Sequence, residues 1–290
     1  MTKGLTPTAL RVLLERYGLR PKKSLGQHFL WKSGIVEKIV DAAEIDKDDV
    51  VVEIGPGLGI LTTACARRAG LVIGIELDQQ LFPVLEEILC EFDNVRLIPG
   101  NALEVDFDEL AAGFSSDSLK PYKVLGNLPY YLSSPLLLRL LEGNFRAELF
   151  VFMLQREVAE RLVARPGGKN YGSLSVVVQY YAEPELLFTV SRDAFYPPPQ
   201  VSSAVVRLRK RSQPPVEVDE SVFFQVVRAA FRYRRKTLRN ALLEGGLLEA
   251  GVTEEVFQNS GIEPSRRGES LSLAEFAAIA NALACPAKRR

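Results

Sequence analysis

The stretch Val50–Asp78, VVVEIGPGLGILTTACARRAGLVIGIELD, predicts a strand, a glycine turn, a helix and a second strand in that order. Both ends of the stretch are nearly continuous runs of Val, Ile and Leu, which is typical of strands buried on both faces of a parallel sheet. Between them, LTTACARRAG has the apolar spacing of a helix, and we expect Gly70 to close it. The stretch therefore predicts a strand–helix–strand unit whose strands run parallel.

The same alternation continues to about residue 157. We predict further strands in VRLIPGNAL, YKVLGNLP and AELFVFML, and helices in QQLFPVLEEILCEF, SPLLLRLLEG and QREVAERLVA. Two later segments, PELLFTV and SSAVVRLRK, flank AFYPPPQ and are candidates for added antiparallel strands. After RSQPPVEVDE, which we interpret as a linker, the pattern is helical from about Ser221. The sequence predicts an α/β fold with helices on both faces of the sheet and ligands beyond the carboxyl ends of the strands.

Composition places the chain among ordinary globular proteins. It has 290 residues, of which 47% are hydrophobic and 25% are charged. No apolar run is long enough to span a bilayer, and the N-terminal MTKGLTPTALRVLLERYG resembles a capped helix more than a signal peptide, so we expect a cytoplasmic protein. The cysteines Cys65, Cys90 and Cys285 form no C-x-x-C pair, and His28 is the single histidine. We therefore expect no metal site.

The net charge is zero, but the charges are sorted along the chain. Residues 1–40 hold eight basic and two acidic residues, residues 41–126 hold six and seventeen, and residues 200–245 hold ten and four. Two basic ends around an acidic middle are consistent with a polyanionic partner or with solvated helix faces.

The glycine turn EIGPGLG predicts a cofactor site. Gly55 and Gly57 permit backbone conformations that bring a ligand close to the main chain, and Glu76 ends the next strand, where its carboxylate can accept both hydroxyls of a ribose. Ile60 stands where a dinucleotide fingerprint requires glycine, so a nicotinamide cofactor is not indicated. Asn101 follows the third strand, and its amide suits an adenine edge. The alternatives are a tight turn with a solvated acid, and an ordinary turn asparagine.

A second polar strand end lies in VLGNLPYYLSSPLL, residues 124–137. Pro129 restrains the backbone so that the side-chain oxygen of Asn127 and the carbonyl of Leu128 point the same way, as two acceptors for one –NH₂ group. Tyr130 supplies a ring on which a base can stack. In isolation this pattern is more often a polar strand end with a proline turn. On the fourth strand of such a sheet it favours methylation of an exocyclic adenine amine.

The segment RAAFRYRRKTLRN, Arg228–Asn240, carries six basic residues with aromatic residues between them. On one helix, Arg228, Arg232, Arg235 and Arg239 would form a stripe suited to phosphates. The alternative is that some of these residues pair with acids within the protein.

At this point the sequence strongly resembles the ribosomal RNA small-subunit adenine dimethyltransferases, also called dimethyladenosine transferases. The resemblance covers almost the whole chain and rests on the motifs KKSLGQHFL, VVEIGPGLGILT, GIELD, GNLPYYLSSPL, MLQREVAERLVA, FYPPPQVSSAVVRL and FRYRRKTLRNAL. It implies a Rossmann-like class I methyltransferase domain over residues 1–210, with a helical and basic extension over 1–45, and a small helical RNA-contacting domain over 211–290.

The resemblance also implies an activity. S-adenosylmethionine would be the donor for N6,N6-dimethylation of two adjacent adenosines in the 3′-terminal hairpin loop of 16S rRNA, in the immature 30S subunit. The partner would be this RNA, with no membrane and no metal, and the protein would act as a monomer.

The resemblance implies roles for individual residues. The cofactor-binding residues would be His28, Leu30, Gly55, Gly57, Glu76, Asn101 and Asn127. The catalytic residues would be Asn127, Leu128, Tyr130 and Phe195, the last from a loop beside the base. The RNA-binding residues would be Lys22, Lys23, Arg232, Arg234, Arg235 and Lys236. Members of the family usually carry Asp where this chain has Asn101. They accept Asn or His at position 28, so we interpret His28 as a pocket wall and not as a base.

Four alternatives remain. A large-subunit rRNA methyltransferase of the macrolide-resistance type shares the catalytic core, although GQHFL and RRKTLRN favour the small-subunit enzyme. A DNA adenine methyltransferase usually carries a target-recognition domain, which this sequence lacks. A small-molecule methyltransferase has no need of two basic ends. A mainly non-catalytic ribosome-assembly factor would use the same RNA contacts.

Overall fold

The computed structural model describes residues 6–115, 117, 119–249 and 253–284. The chain divides into two compact units. The first comprises Met1–Ala159 and Glu183–Lys210, and the second comprises Glu160–Ala182 and Arg211–Arg290. The division into functional domains at residue 210 stays a prediction.

A seven-stranded sheet forms the centre of the first unit, and a two-stranded sheet lies in the same unit. The strands are β1 (Phe29–Leu30), β2 (Val50–Ile54), β3 (Leu71–Glu76), β4 (Val95–Pro99), β5 (Tyr122–Asn127), β6 (Ala147–Gln155), β7 (Ala182–Val190), β8 (Phe195–Tyr196) and β9 (Ser203–Lys210). The large sheet has the order β4-β3-β2-β5-β6-β9-β7, and β1 pairs with β8. The strands from β4 to β6 are parallel, whereas β9 is antiparallel to β6. The five predicted parallel strands are confirmed, as is the addition of the two later strands.

Helices connect the strands of the first unit as the alternating pattern predicts. They are α1 (Pro7–Arg16), α2 (Ser33–Ala42), α3 (Ile60–Ala66), α4 (Phe82–Leu89), α5 (Phe107–Phe114), α6 (Ser133–Glu142) and α7 (Arg156–Leu162), the last of which runs into the second unit. The predicted N-terminal helix is capped by Thr6, whose side-chain oxygen accepts a hydrogen bond from the Ala9 amide at 3.2 Å.

Both faces of the sheet are buried at the central strands β2 and β5, where side chains of opposite orientation are equally inaccessible. Val51 and Leu125 pack in one core cluster with α2 and α3 and are fully buried. Val52 and Val124, which point to the other face, are also 0% exposed. The predicted α/β class with helices on both faces is therefore confirmed.

One helix boundary differs from its prediction. Helix α3 ends at Ala66, with Arg67 as its C-cap, so Gly70 does not close it. Gly70 instead approaches the main chain closely, since a Cβ placed there would lie 2.5 Å from the carbonyl oxygen of Lys47. The Gly70 amide donates a hydrogen bond to the carbonyl of Asp49 at 3.1 Å, which fixes the start of β3. The glycine serves the turn into the strand rather than the end of the helix.

The second unit is helical and has its own aromatic core. Its complete helices are α8 (Ser173–Tyr181), α9 (Glu220–Arg232), α10 (Leu238–Glu244), α11 (Thr253–Ser260) and α12 (Leu273–Ala284). Phe223 lies between Tyr180, at a ring-centroid distance of 5.0 Å, and Phe276, at 6.4 Å. Asp219 caps α9 by accepting the Val222 amide at 3.0 Å. The predicted helical C-terminal region is confirmed.

Three further features concern the described residues only. No helix among them is long and apolar enough to cross a membrane. They contain no group of three His, Cys, Asp or Glu side chains arranged to hold a metal. Cys65 is buried and Cys90 is exposed, and both are free thiols, whereas Cys285 lies outside the described residues.

Candidate active site

A cavity of about 220 Å³ opens at the carboxyl ends of the central parallel strands. The turn after β2, the end of β3, the turn after β4 and the residues after β5 all contribute to its lining. All the predicted cofactor-side residues line it: His28, Leu30, Gly55, Gly57, Glu76, Asn101 and Asn127. The predicted catalytic residues Leu128, Tyr130 and Phe195 line it as well. The structure therefore brings both predicted groups together in one cavity.

The glycine turn and Glu76 form one wall. Gly57 has a φ of +61°, and a Cβ there would lie 3.1 Å from the ring of Phe29, so a larger residue would be strained. Its amide donates a hydrogen bond to Glu76 Oε2 at 3.0 Å, and the Asp78 amide donates to Glu76 Oε1 at 2.8 Å. Burial raises the pKa of the Glu76 carboxyl, although these amide hydrogen bonds act in the opposite direction. The backbone thus holds both oxygens of Glu76 in a defined orientation.

Glu53 is a functional candidate to which the sequence analysis assigned no role. It lies within β2, is 1% exposed, and lines the cavity. Among the described residues its Oε2 atom has no hydrogen-bond partner. Burial raises the pKa of Glu53 to about 7; the nearby Thr62 hydroxyl acts in the opposite direction, and the charge of Glu76 adds to the increase. An unpartnered buried carboxyl oxygen is costly, so it favours a ligand that brings a donor or a positive charge. A single acid inside the apolar run VVVEIG was the signal in the sequence.

Asn101 is held by the turn that follows β4. Its Nδ2 donates to Glu104 Oε1 at 2.9 Å, and its Oδ1 accepts the Leu103 amide at 3.1 Å. These bonds fix the plane of the amide at the cavity wall. The oxygen keeps a second lone pair for a ligand, so contact with an adenine edge stays a prediction.

Asn127 ends β5, and its side chain is fixed by the segment before β1. Its Nδ2 donates to the backbone carbonyl of His28 at 2.9 Å. No donor among the described residues binds its Oδ1, which leaves that acceptor for a ligand. Leu128 continues the ladder, since its amide donates to the carbonyl of Met153 at 3.1 Å. Gly126 permits the close approach of β2 and β5, because a Cβ there would lie 2.8 Å from the carbonyl oxygen of Ile54.

Two rings stand beside this strand end. The ring of Tyr130 is half-buried and lies 6.2 Å from the ring of His28 at an interplanar angle of 28°. His28 Nδ1 lies 2.7 Å from the carbonyl of Pro197, and because a carbonyl only accepts, this nitrogen donates. The arrangement supports the interpretation of His28 as a cavity wall.

Phe195 occupies a strand and not the predicted loop. It begins β8, where it pairs with Leu30 of β1, and it is 4% exposed. Phe195 and Leu30 are buried in the same core cluster. Two apolar side chains in register favour strand pairing, which explains why Phe195 lies in a strand and not in a loop. Phe195 still lines the cavity.

Comparisons with known proteins give the family. The family model described as ribosomal RNA adenine dimethylase matches residues 18–284. The chain belongs to the ribosomal RNA adenine dimethylase family. The ribosomal RNA small subunit methyltransferase A of Pelotomaculum thermopropionicum is 54% identical over 95% of this chain and 96% of the relative. The protein of the same name from Moorella thermoacetica is 52% identical over 98% and 99%.

Solved structures agree with the dimethylase fold. A dimethyladenosine transferase from Plasmodium falciparum superposes with a TM-score of 0.71 at 24% identity, covering 87% of this chain and 96% of that one. The 23S rRNA methyltransferase ErmE superposes with a TM-score of 0.67 at 25% identity, covering 88% and 99%. The class I methyltransferase fold predicted for this dimethylase is therefore confirmed.

The predicted RNA-binding lysines of this dimethylase lie outside the cavity lining. Lys23 is exposed. Lys22 is partly buried, and its ammonium lies 2.7 Å from Asp78 Oδ1. The two neighbours therefore have different surroundings, and their contact with RNA stays a prediction.

The predicted basic stripe on one helix of the dimethylase is wrong. Helix α9 ends at Arg232, because Tyr233 leaves the helical conformation with φ −111° and ψ 49°. Thr237 then caps α10, so Arg235 and Arg239 do not continue the helix that carries Arg228.

The remaining basic residues of this segment have mixed surroundings. Arg234 Nε donates to Glu269 at 2.9 Å, and Lys236 pairs with Glu244. Arg232 lies over the ring of Tyr233 at 5.8 Å. Arg235 is exposed and has no acidic partner among the described residues.

Proposed function

We propose that this chain transfers methyl groups from S-adenosylmethionine to N6 of two adjacent adenosines in the 3′-terminal hairpin loop of 16S rRNA. The product is N6,N6-dimethyladenosine, formed during assembly of the small ribosomal subunit. Residues 1–210 carry the chemistry, and residues 211–290 contact RNA. The enzyme acts in the cytoplasm as a monomer on the immature 30S subunit and requires no metal.

The observation that carries this proposal is the orientation of Asn127. Its amide nitrogen is bound to the carbonyl of His28, which leaves Oδ1 as an acceptor at the cavity. The carbonyl of Leu128 is the second acceptor, from the adjacent residue. Two acceptors at one strand end match the two hydrogens of an exocyclic amine.

The geometry accounts for activation of a weak nucleophile. The lone pair of an adenine amine is delocalised into the ring. Asn127 and Leu128 bind its hydrogens and favour a tetrahedral nitrogen, on which the lone pair is localised. Tyr130 stacks on the extruded base, an interaction that contributes roughly 1–3 kcal/mol. Adenines in a hairpin loop are already partly unstacked, which lowers the cost of extrusion.

The cavity residues fit S-adenosylmethionine as the donor. When bound, this cofactor supplies a methyl group already activated by a sulfonium. Glu76 accepts the ribose hydroxyls, Asn101 binds the adenine edge, and Gly55 and Gly57 allow the methionine portion to approach the backbone. The Oε2 atom of Glu53 has no hydrogen-bond partner among the described residues, which supports this fit, because the cofactor carries both a sulfonium and an ammonium charge.

Similarity favours the small subunit over the large subunit as the substrate. Eight curated relatives that share the name ribosomal RNA small subunit methyltransferase A are 45–54% identical to this chain. The 23S rRNA methyltransferase ErmE is 25% identical.

Base mapping tests the proposal. The protein is incubated with methyl-labelled S-adenosylmethionine and either small or large subunits that lack the corresponding modifications. We expect label on N6 of two adjacent adenosines near the 3′ end of 16S rRNA and none on the large subunit. Label on 23S rRNA alone would favour the large-subunit alternative, and RNA binding without label would favour an assembly factor.

A further inference from the structure

The segment Lys22–Leu30 contributes its later residues to the cavity lining and is bound at several places. Gln27, His28 and Leu30 all line the cavity. The carbonyl of His28 accepts the Asn127 amide, and the His28 ring donates to the carbonyl of Pro197 at 2.7 Å. These bonds connect the middle of the segment to the target side of the cavity.

The beginning of the segment is bound to the cofactor side through Asp78. The Lys22 ammonium lies 2.7 Å from Asp78 Oδ1, and Gln27 Nε2 donates to Asp78 Oδ2 at 2.8 Å. The backbone amide of Lys22 donates to Gln27 Oε1 at 2.8 Å, so Lys22, Gln27 and Asp78 are joined pairwise by hydrogen bonds. The Asp78 side chain is 4% exposed, so this is an ion pair with a buried acid and not a surface contact.

Asp78 connects this hydrogen-bonded group to Glu76. The backbone amide of Asp78 donates to Glu76 Oε1 at 2.8 Å. The residue that pairs with Lys22 therefore also orients the carboxylate of Glu76, which is predicted to bind the ribose. Although burial opposes ionisation, the hydrogen bonds from Lys22 and Gln27 lower the pKa of Asp78, which keeps the acid charged. Loss of the ammonium would leave that charge buried without its counter-ion.

We propose that Lys22 is a positioning residue for the cofactor site, which pins the segment Lys22–Leu30 to the end of β3 through Asp78, and that it does not contact RNA phosphate. The proposal rests on the proposed function, since it takes the cavity to be the S-adenosylmethionine site. Lys23 is the natural comparison, because it is the adjacent lysine, is exposed, and its ammonium has no partner among the described residues.

Two matched variants test the assignment, Lys22→Gln and Lys23→Gln. The dissociation constant for S-adenosylmethionine is measured by calorimetry, and 16S rRNA binding is measured over a range of salt concentrations. We expect Lys22→Gln to weaken cofactor binding at least tenfold, to raise KM for the cofactor more than it lowers kcat, and to leave the salt dependence of RNA binding unchanged. Lys23→Gln should leave cofactor binding unchanged, and Lys22→Arg should restore it.

The assignment is overturned if Lys22→Gln binds the cofactor as the wild type does, or if it reduces the salt dependence of RNA binding. Should Lys22→Gln fail to fold because Asp78 is left without a counter-ion, the double variant Lys22→Gln with Asp78→Asn removes the buried charge. We expect the double variant to fold and still to bind the cofactor at least tenfold more weakly. Wild-type affinity in the double variant would contradict the assignment.

Hydrogen exchange separates failure of this inference from failure of the proposed function. If the wild type binds no S-adenosylmethionine, the proposed function fails, but the attachment of the segment can still be measured without a cofactor. We expect the amides of residues 27–30 to exchange at least tenfold faster in Lys22→Gln than in Lys23→Gln. Equal exchange in the two variants would show that Lys22 does not pin the segment.

Discussion

Individual residues at the carboxyl ends of the strands line the candidate site, and Glu53 is one that its sequence pattern alone did not identify. Its carboxyl group is 1% exposed inside β2, and its Oε2 atom lacks a partner among the described residues. A charged residue in an apolar strand is visible in the sequence. That none of the described groups around this strand donates to the Oε2 atom is visible only in three dimensions.

The raised pKa of Glu53 predicts how stability depends on pH. An acid whose pKa increases on folding, here from 4.5 to about 7, binds more protons in the folded state than in the unfolded chain over that interval. Its contribution therefore lowers the free energy of unfolding as the pH rises from 4.5 to about 7, by up to about 3 kcal/mol. Glu53→Gln should remove this decrease, as measured by urea unfolding of the cofactor-free protein across that pH range.

A matched control for this experiment is Glu91→Gln, which changes an exposed carboxyl. The free energy of unfolding of this control should vary with pH as that of the wild type does. If Glu53→Gln also follows the wild type, the Glu53 carboxyl does not titrate in this range on folding.

The placement of the candidate site residues around one cavity was largely predictable from the sequence. Glu76, Asn101 and Asn127 each follow an apolar run, and the carboxyl ends of parallel strands meet at one edge of the sheet. The partner of Lys22 was not predictable, since Asp78 lies 56 residues away and is brought close only by folding. The position of Phe195 was mispredicted for a related reason, because a proline-rich segment resembles a loop unless its pairing with β1 is known.

At the scale of elements, the start of α12 is a helix terminus held by side-chain hydrogen bonds. Ser272 and Glu275 form a capping box, in which the Ser272 amide donates to Glu275 Oε2 at 2.8 Å and the Glu275 amide donates to Ser272 Oγ at 3.3 Å. Arg266 also binds Glu275. The hydrogen bonds from Arg266 and Ser272 lower the pKa of Glu275 to about 2.

Glu275→Gln should lower the free energy of unfolding at neutral pH by about 1–2 kcal/mol, because it removes a charge-assisted hydrogen bond and a partly exposed ion pair. A lowered pKa stabilises the folded state above the ordinary value of 4.5, and this contribution is lost as the pH falls towards about 2. The difference between variant and wild type should therefore shrink as the pH falls over that range in chemical unfolding. Glu263→Gln is the control. If the difference in unfolding free energy between Glu275→Gln and the wild type stays constant over that pH range, the stabilising role assigned to the Glu275 carboxylate is contradicted.

Helix boundaries show why elements are predicted better than their ends. The helical spacing of the basic residues continues past the end of α9, but Tyr233 leaves the helix and Thr237 caps the next one. A short polar and basic segment gives little periodicity from which to locate a turn. The predicted basic stripe therefore failed although the helical character of the region was correct.

At the scale of the whole molecule, the sorted charges predict an electrostatic contribution to RNA binding. Replacing Arg232, Arg234, Arg235 and Lys236 together with Gln should weaken 16S rRNA binding. It should also reduce the slope of log affinity against log salt by about 1 for each phosphate contact that is lost. Lys47→Gln, in the acidic part of the chain, should leave the slope unchanged. An unchanged slope in the fourfold variant would assign these four residues to stabilising the second unit.

The order of strands and helices could be predicted because, in a parallel sheet, each element has a recognisable pattern within its own stretch of sequence. Each buried strand is a short apolar run, and each connecting helix has its own periodicity, so the order of elements can be recovered. No sequence pattern indicated that residues 160–182 belong to the second unit, since membership of a unit depends on contacts between residues that are distant in sequence.

The central claim is that Asn127 and Leu128 hold the amine of a target adenine. The most direct test is the single-turnover rate of methyl transfer by Asn127→Ala to small subunits lacking the modification, at saturating S-adenosylmethionine. We predict a fall of about 10²–10³-fold, similar to the loss of one preorganised hydrogen bond in other enzymes, with RNA affinity within a few-fold of the wild type. A wild-type rate in this variant would contradict the account.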